Sequence, residues 1–148
     1  AGELGHTVII EDGPLCRCGN RGCLEAIAGG PAILERLGDA GGITKVGDVV
    51  LRAMANDGDC IRALAEAGRH IGLAAGNLCN LFDPERIVVG GDLARAGELL
   101  LGPIRLAMEN AVIVEGDAVP DVVQGQLGPG VSARGAAARA IDEMNVRE

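Results

Sequence analysis

The chain has 148 residues, of which 48% are hydrophobic and 1% aromatic, and its formal net charge is −8. The hydrophobic content excludes a disordered chain, and the negative charge argues against direct binding of this chain to nucleic-acid phosphates. We find no uncharged apolar run that could span a membrane and no signal peptide in the first residues. With five cysteines and no secretory signal, we expect a cytoplasmic protein whose reduced thiols bind a metal or lie in a core.

The first part of the chain predicts a short strand and three helices. Residues 7–11 are mostly β-branched and form a predicted strand that leads into a loop rich in cysteine and glycine. Residues 24–37 have a helical pattern that a Gly-Gly-Pro stretch interrupts, so Pro31 is predicted to begin a second helix. A third helix is predicted over 45–55, with Thr44 as its N-cap.

The longest predicted helix covers 59–82 and carries a glycine at every fourth position, namely Gly68, Gly72 and Gly76. Each of these glycines costs a helix about 1 kcal/mol relative to alanine. We therefore interpret the stripe as a surface against which another backbone lies closely. Packing inside the domain is the favoured interpretation, and packing on a partner subunit is the alternative.

The second half of the chain predicts two strands and two helices. An Asp-Pro pair ends the long helix, and a strand at 86–91 runs into a glycine turn. Asp92 is predicted to cap a helix over 93–112 that bends at a Gly-Pro pair. A strand at 122–126 and a helix at 131–144 follow. Because strands alternate with helices, the predicted class is α/β.

The loop 6–23 contains three of the five cysteines, Cys16, Cys18 and Cys23, with glycines that permit a tight turn. A structural zinc ion takes four cysteine or histidine ligands in a tetrahedron. His6 lies at the base of the predicted strand, and a hairpin-like return of the chain would bring its imidazole to the thiols. The residue types and spacing predict a structural zinc site.

Two other arrangements of these thiols remain open from the sequence. A Cys16–Cys23 disulfide requires an oxidising compartment and leaves Cys18 unexplained. Three unconnected core thiols would not need glycines and arginines among them. Cys60 and Cys79 fall on predicted helices and are interpreted as ordinary buried residues.

Two sets of motifs carry a resemblance to a known family. The first set combines E-x-G-H at 3–6 with C-x-C-G-x-x-G-C-x-E at 16–25. The second set reads N-L-x-D-P-x-x-I-V-V-G-G at 80–91 and A-G-x-L-L-x-x-P-I at 96–104. Together they resemble the ROK family of sugar-responsive transcriptional repressors and sugar kinases. The resemblance covers almost the whole chain.

The resemblance implies an actin-like (ribonuclease-H-like) fold of two lobes with the sugar between them. Residues 1–148 would be a single domain, the second lobe, with an inserted zinc-binding loop. Contacts with sugar hydroxyls would be made by Glu3, His6 and Glu25, and His6 would share the zinc with the three loop cysteines. One imidazole nitrogen can bind zinc while the other donates to a sugar oxygen, and carboxylates accept strong O–H hydrogen bonds. Four protein ligands leave the zinc no open position, so its role would be structural.

The resemblance leaves two kinds of parent protein open. A ROK kinase needs an aspartate base and a phosphate loop in its first lobe, and a ROK repressor needs a winged helix-turn-helix. Nothing in this chain matches these parts, so we assign no catalytic residue and expect the first lobe and any DNA-binding domain to lie outside this sequence. In a kinase, Gly90 and Gly91 would approach the nucleotide, but a capping Asp92 would occupy the free N–H groups and repel phosphates.

We therefore favour the sugar-sensing lobe of a transcriptional regulator, with the corresponding lobe of a glucokinase-like kinase as the alternative. The expected partners are a small sugar, as effector or substrate, and further copies of the chain in a homo-oligomer. DNA would be bound only through a domain outside this sequence.

Overall fold

The computed structural model describes residues 2–113, 119–128 and 130–145. Most of the regular structure is helical, and short 3₁₀ turns lie at Leu4–His6, Ala40–Gly42 and Leu93–Ala96. In chain order the helices and strands are α1 (Leu24–Ala28), α2 (Gly30–Leu37), α3 (Val46–Met54), α4 (Gly58–Phe82), β1 (Arg86–Val89), α5 (Glu98–Glu109), β2 (Asp121–Gln124) and α6 (Val131–Asn145). The predicted α/β class is confirmed, with a small sheet.

The two strands pair in parallel, and Arg86 of β1 lies opposite Asp121 of β2. Helix α5 forms the crossover between them. Arg105 of α5 donates to the carbonyl oxygen of Val122 from Nε at 3.2 Å and from Nη2 at 3.0 Å. These hydrogen bonds fix α5 against β2.

Helices α4 and α5 form the centre of the core, to which Leu64, Leu100, Ile104 and Met108 contribute fully buried side chains. The glycine stripe of α4 is the reason why the two helices can approach closely. A Cβ at Gly68 would lie 2.8 Å from the carbonyl oxygen of Leu100. The predicted packing inside the domain is confirmed, and the alternative of a partner subunit at the stripe is wrong.

Residues 7–11 do not form the predicted strand. Val8 makes an isolated antiparallel bridge. The next two amides, of Ile9 and Ile10, both donate to the carbonyl oxygen of Gly22, at 2.9 and 3.3 Å. Because two successive amides converge on one carbonyl, this segment curls around the cysteine loop instead of pairing with an extended neighbour.

The predicted cap at Asp92 is also wrong. Asp92 has helical backbone angles, φ −65° and ψ −37°, and its side chain makes no capping hydrogen bond. A side-chain N-cap requires extended backbone. After β1 the chain enters a 3₁₀ turn, and Gly97, with φ +57°, redirects it so that α5 begins at Glu98.

The start of α3 differs in the same way from the prediction. The N-cap position belongs to Lys45, and the capping acceptor is Oδ2 of Asp48 inside the helix. Thr44 donates its backbone N–H to that oxygen at 3.1 Å. Thr44 is therefore a hydrogen-bond donor to Asp48 and not the predicted N-cap residue of α3.

Helix α4 has a carboxylate cap whose contribution to stability should depend on pH. Asp57 Oδ1 accepts from the amides of Asp59 at 3.0 Å and Cys60 at 3.1 Å. Chiefly the Cys60 amide, assisted by that of Asp59, lowers the pKa of Asp57 below its usual value. A lowered folded-state pKa gives stability that is present above the unfolded pKa of about 3.9 and is lost as the pH falls through the folded value.

We expect Asp57→Asn, which retains a capping oxygen, to lose less stability than the wild type when the pH falls below about 4. Asp57→Ala should lower the melting temperature at every pH because it removes the cap. Thermal melts between pH 2 and pH 7 measure both effects. Parallel curves for the wild type and Asp57→Asn would show that this carboxylate does not contribute to the acid sensitivity.

Within residues 2–113, 119–128 and 130–145, no helix combines the length and the hydropathy that a membrane span requires.

Candidate metal centre

The cysteine loop is closed by backbone hydrogen bonds that its glycines make possible. The amide of Cys16 donates to the carbonyl of Asn20 at 2.7 Å, and the amide of Gly22 donates to that of Pro14 at 2.8 Å. Gly22 has a φ of +68°, and a Cβ there would overlap the carbonyl oxygen of Ile10. Glycine at this position therefore lets the loop fold back on the segment that follows His6.

This fold brings together the four residues predicted to bind zinc. One ligand atom from each of His6, Cys16, Cys18 and Cys23 lies within 4.8 Å of all the others. Cys16 Sγ is 3.6 Å from His6 Nδ1, and Cys18 Sγ is 3.6 Å from Cys23 Sγ.

These separations match the donor set of a tetrahedral metal ion. Zinc bonds of about 2.3 Å to sulfur and about 2.0 Å to nitrogen place two sulfurs about 3.8 Å apart, and a sulfur and a nitrogen about 3.5 Å apart. Three thiols and one imidazole are also ligand types that zinc prefers. The cluster can therefore hold a metal ion, and zinc is consistent with both its chemistry and its geometry.

All five cysteines of the chain are free thiols. The structure therefore gives no support to the Cys16–Cys23 disulfide. The thiols are not unconnected either, because the cluster brings Cys16, Cys18 and Cys23 together. Cys60 and Cys79 are buried away from the cluster, and burial raises the pKa of both, as expected of ordinary core thiols.

The protein groups alone do not favour three thiolates in this loop. Burial, followed by hydrogen bonds with Cys18 and Cys16, raises the pKa of Cys23 to about 12. The pKa of the exposed Cys18 is lowered, mainly by the backbone N–H of Asn20. A bound divalent cation inverts this balance because a coordinating thiol is deprotonated. The buried Cys23 thiol would thus be ionised by the metal and not by its protein neighbours.

The imidazole of His6 faces the thiols with one nitrogen and a carboxylate with the other. Its Nε2 lies 3.4 Å from Oε2 of Glu25, in the first turn of α1. The other carboxylate oxygen, Oε1, lies 2.8 Å from Nη2 of Arg17. The structure thus joins two of the three residues predicted to contact sugar, His6 and Glu25.

The side chain of Glu3, the third predicted sugar contact, is not joined to the other two. Its backbone carbonyl accepts the amide of His6 at 2.9 Å, and its side chain is exposed. Among the described residues, no hydrogen bond or ion pair joins the Glu3 carboxylate to His6 or Glu25. A role of Glu3 in sugar binding therefore stays a prediction.

The glycine turn predicted for a nucleotide lies elsewhere, at the end of β1. Gly90 and Gly91 line a cavity of about 170 Å³ together with Arg95, Gln124 and Gly125. Gly91 has a φ of +87°, which favours glycine.

Sequence reasoning did not identify Arg17 as a partner of Glu25. The sequence shows only that Arg17 lies between two predicted zinc ligands, Cys16 and Cys18. That Arg17 pairs with Glu25 follows from the packing of α1 against the loop.

The model of the ROK family matches residues 1–143. The chain belongs to the ROK family, and the resemblance seen in its motifs is confirmed. The relatives of this chain include both sugar kinases and transcriptional regulators. The glucokinase of Halalkalibacterium halodurans is 36% identical over 74% of this chain, and the DNA-binding transcriptional dual regulator NagC of Escherichia coli is 36% identical over 70%.

The fold agrees with this assignment. A ROK glucokinase of Streptomyces griseus, solved in complex with glucose and AMPPNP, superposes with a TM-score of 0.76 at 31% identity over 88% of this chain. The chain spans 38% of the H. halodurans glucokinase, 28% of NagC and 48% of the S. griseus enzyme. The described fold is therefore that of part of an actin-like ROK sugar kinase or regulator.

Proposed function

We propose that this chain is the sugar-binding part of a ROK-family protein, in which a structural zinc ion orders half of the sugar site. The observation that carries the proposal is the two-sided contact of His6, with Nδ1 directed to Cys16 and Nε2 to Glu25. Zinc bound on the thiol side would fix the imidazole ring, so that Nε2 carries its proton beside the carboxylate. A sugar hydroxyl could then accept from Nε2–H and donate to Glu25.

In this proposal, zinc supplies no reaction step. His6, Cys16, Cys18 and Cys23 would hold it with all four tetrahedral positions filled. The solved S. griseus relative contains glucose, which supports glucose as the first ligand to test. Because this chain would provide only part of the contacts, we expect weak binding, with a dissociation constant on the order of millimolar.

We expect Glu25→Gln to weaken glucose binding by about 3- to 30-fold, because hydrogen bonds to a charged acceptor contribute more than hydrogen bonds to a neutral one. Calorimetry or NMR titration of the zinc-loaded chain with glucose measures the change. Glu109→Gln on α5 removes the same charge from an exposed site outside the loop and should leave the affinity unchanged. Equal affinities for the wild type and Glu25→Gln would contradict the proposed site.

A sugar-responsive regulator is one candidate for the whole protein. There, sugar would favour one conformation through its differential contacts and so change DNA affinity in another domain. The phosphate-repelling cap at Asp92 no longer supports this candidate, because Asp92 caps nothing in the described structure. Asp92 still places a negative charge next to Gly91, and this charge would repel a phosphate.

A specific observation supports a kinase parent as the second candidate. The cavity at Gly90 and Gly91 is lined by glycines, and its charged lining residue is Arg95, which is compatible with phosphate. Magnesium-ATP binding to the parent protein decides between the candidates. Perturbation of the Gly90 and Gly91 amides by ATP supports the kinase, and unchanged amides support the regulator.

A further inference from the structure

We infer that Arg17 is a positioning residue of the sugar site, which holds the Glu25 carboxylate in the orientation that accepts sugar hydroxyls. This inference rests on the proposed sugar-binding function. Arg17 occupies a position that the C-x-C-G-x-x-G-C-x-E motif leaves unspecified. It would therefore be a determinant of affinity that the motif itself does not contain.

The contacts of Glu25 show how Arg17 would act. Arg17 Nη2 lies 2.8 Å from Oε1, and His6 Nε2 lies 3.4 Å from Oε2. Each carboxylate oxygen thus faces a different nitrogen, and the plane of the group is set by two neighbours. A carboxylate offers about four acceptor positions. Two are engaged by these neighbours, and the others remain for O–H donors.

These contacts form a closed ring. Cys16 faces His6, His6 faces Glu25, Glu25 pairs with Arg17, and Arg17 is the next residue after Cys16. The ring links the metal ligands to the carboxylate at two points. Occupancy of the metal site would therefore fix the His6 ring directly and, through Cys16, the backbone from which Arg17 reaches Glu25.

Exposure would normally make such a pair weak. The Arg17 side chain is 77% exposed and that of Glu25 is 32% exposed. Exposed ion pairs gain little because water screens the charges and ordering two side chains costs entropy. Here the metal loop and α1 already order both backbones, so less freedom is lost. A carboxylate that is oriented in advance loses less entropy on binding sugar.

The alternative role for Arg17 is electrostatic support of the metal itself. A zinc ion with three thiolates and a neutral imidazole has a net charge of −1, which a nearby guanidinium would stabilise. This role predicts a change at the metal when Arg17 is replaced, whereas positioning of Glu25 does not. The two roles can thus be separated by a spectrum of the bound metal.

The test compares Arg17→Gln and Arg17→Lys with the control Arg21→Gln in the full chain. Arg21 lies in the same loop, and its Nη1 faces the carbonyl of Gly13 at 3.5 Å. The first readout is the Nε2–H signal of His6 in ¹H–¹⁵N spectra of the zinc-loaded protein, with His70→Gln used for assignment. We expect Arg17→Gln to broaden this signal, Arg17→Lys to preserve it in part and Arg21→Gln to leave it unchanged.

The second readout is the cobalt(II) absorption spectrum, which we expect to be the same in all variants. The third is glucose affinity, which we expect Arg17→Gln to weaken about two- to fivefold and Arg17→Lys to restore in part. An altered cobalt spectrum in Arg17→Gln would overturn the inference in favour of metal support. Wild-type glucose affinity in Arg17→Gln would overturn it too. Absence of glucose binding by the wild type would instead contradict the proposed function, and the sugar role of Arg17 with it.

Discussion

Replacing Cys23 by serine is expected to weaken zinc binding by more than about 100-fold, because loss of an outer-shell partner alone costs about 10- to 100-fold. Cys23 is fully buried and lies beside both Cys18 and the backbone carbonyl of His6. A serine hydroxyl is a poorer zinc ligand than a thiolate, so three ligands would remain.

The loss of zinc should also destabilise the fold. A ligand present at about 1,000 times its dissociation constant stabilises the native state by about 4 kcal/mol. For a chain of this length, that corresponds to a fall in melting temperature on the order of 10 °C. Metal analysis of the purified protein and melts with and without a chelator measure the two effects.

Cys79→Ser is the matched control for this substitution. Cys79 is 5% exposed, and its Sγ lies 3.9 Å from Met108 Sδ, so the change also places a hydroxyl in a buried site. We expect this variant to lose some stability but to keep one equivalent of zinc and its chelator sensitivity. Equal zinc content in Cys23→Ser and Cys79→Ser would refute the metal site.

Gly72→Ala is expected to destabilise the protein by about 2 kcal/mol, or about 5–8 °C in melting temperature, despite the better helix propensity of alanine. A Cβ at Gly72 would overlap the carbonyl oxygen of Ile104 and lie 2.8 Å from the Cβ of Ala107. Relief of this overlap requires α4 and α5 to separate along their length. The gain of about 1 kcal/mol in helix propensity is smaller than the expected cost of overpacking.

The control for this prediction is Gly47→Ala in α3, where a Cβ would meet nothing within 4 Å. There the propensity gain is unopposed, so the melting temperature should rise slightly. Chemical denaturation of both variants gives the free energies of unfolding. A stabilised Gly72→Ala would mean that α4 and α5 do not pack in close contact.

The metal cluster could be predicted from sequence even though the strand before it could not. Gly19 and Gly22 permit the chain to turn back within a few residues, and the cysteines and His6 are residue types that bind zinc. Whether residues 7–11 pair as a strand depends on the carbonyl of Gly22, whose position follows from the completed loop. Local residue chemistry therefore predicted the site better than the secondary structure beside it.

Other features required the tertiary structure. The spacing of the α4 glycines predicted that another backbone lies close to this helix. That this backbone belongs to α5 depends on how α5 folds back. The cap at Asp92 failed because Gly97 sets where α5 begins, and a short polar residue before a helical pattern does not reveal this. The pairing of Arg17 with Glu25 joins two exposed side chains from different elements, which no sequence pattern specifies.

Several expectations stay predictions. They are the single-domain boundary at 1–148, the homo-oligomer, the cytoplasmic location and zinc as the bound metal. The sugar contacts of Glu3, His6 and Glu25 and the nucleotide contact of Gly90 and Gly91 also stay predictions. The choice between regulator and kinase belongs with them, because relatives of both kinds are equally similar to the chain.

One metal ion that joins His6 to the three loop cysteines would direct Nε2 to Glu25. X-ray absorption spectroscopy at the zinc edge of the loaded chain measures the atoms bound to this ion. We expect three sulfur neighbours at about 2.3 Å and one imidazole nitrogen at about 2.0 Å. A shell of oxygen neighbours, or a shell without the imidazole, would contradict this expectation.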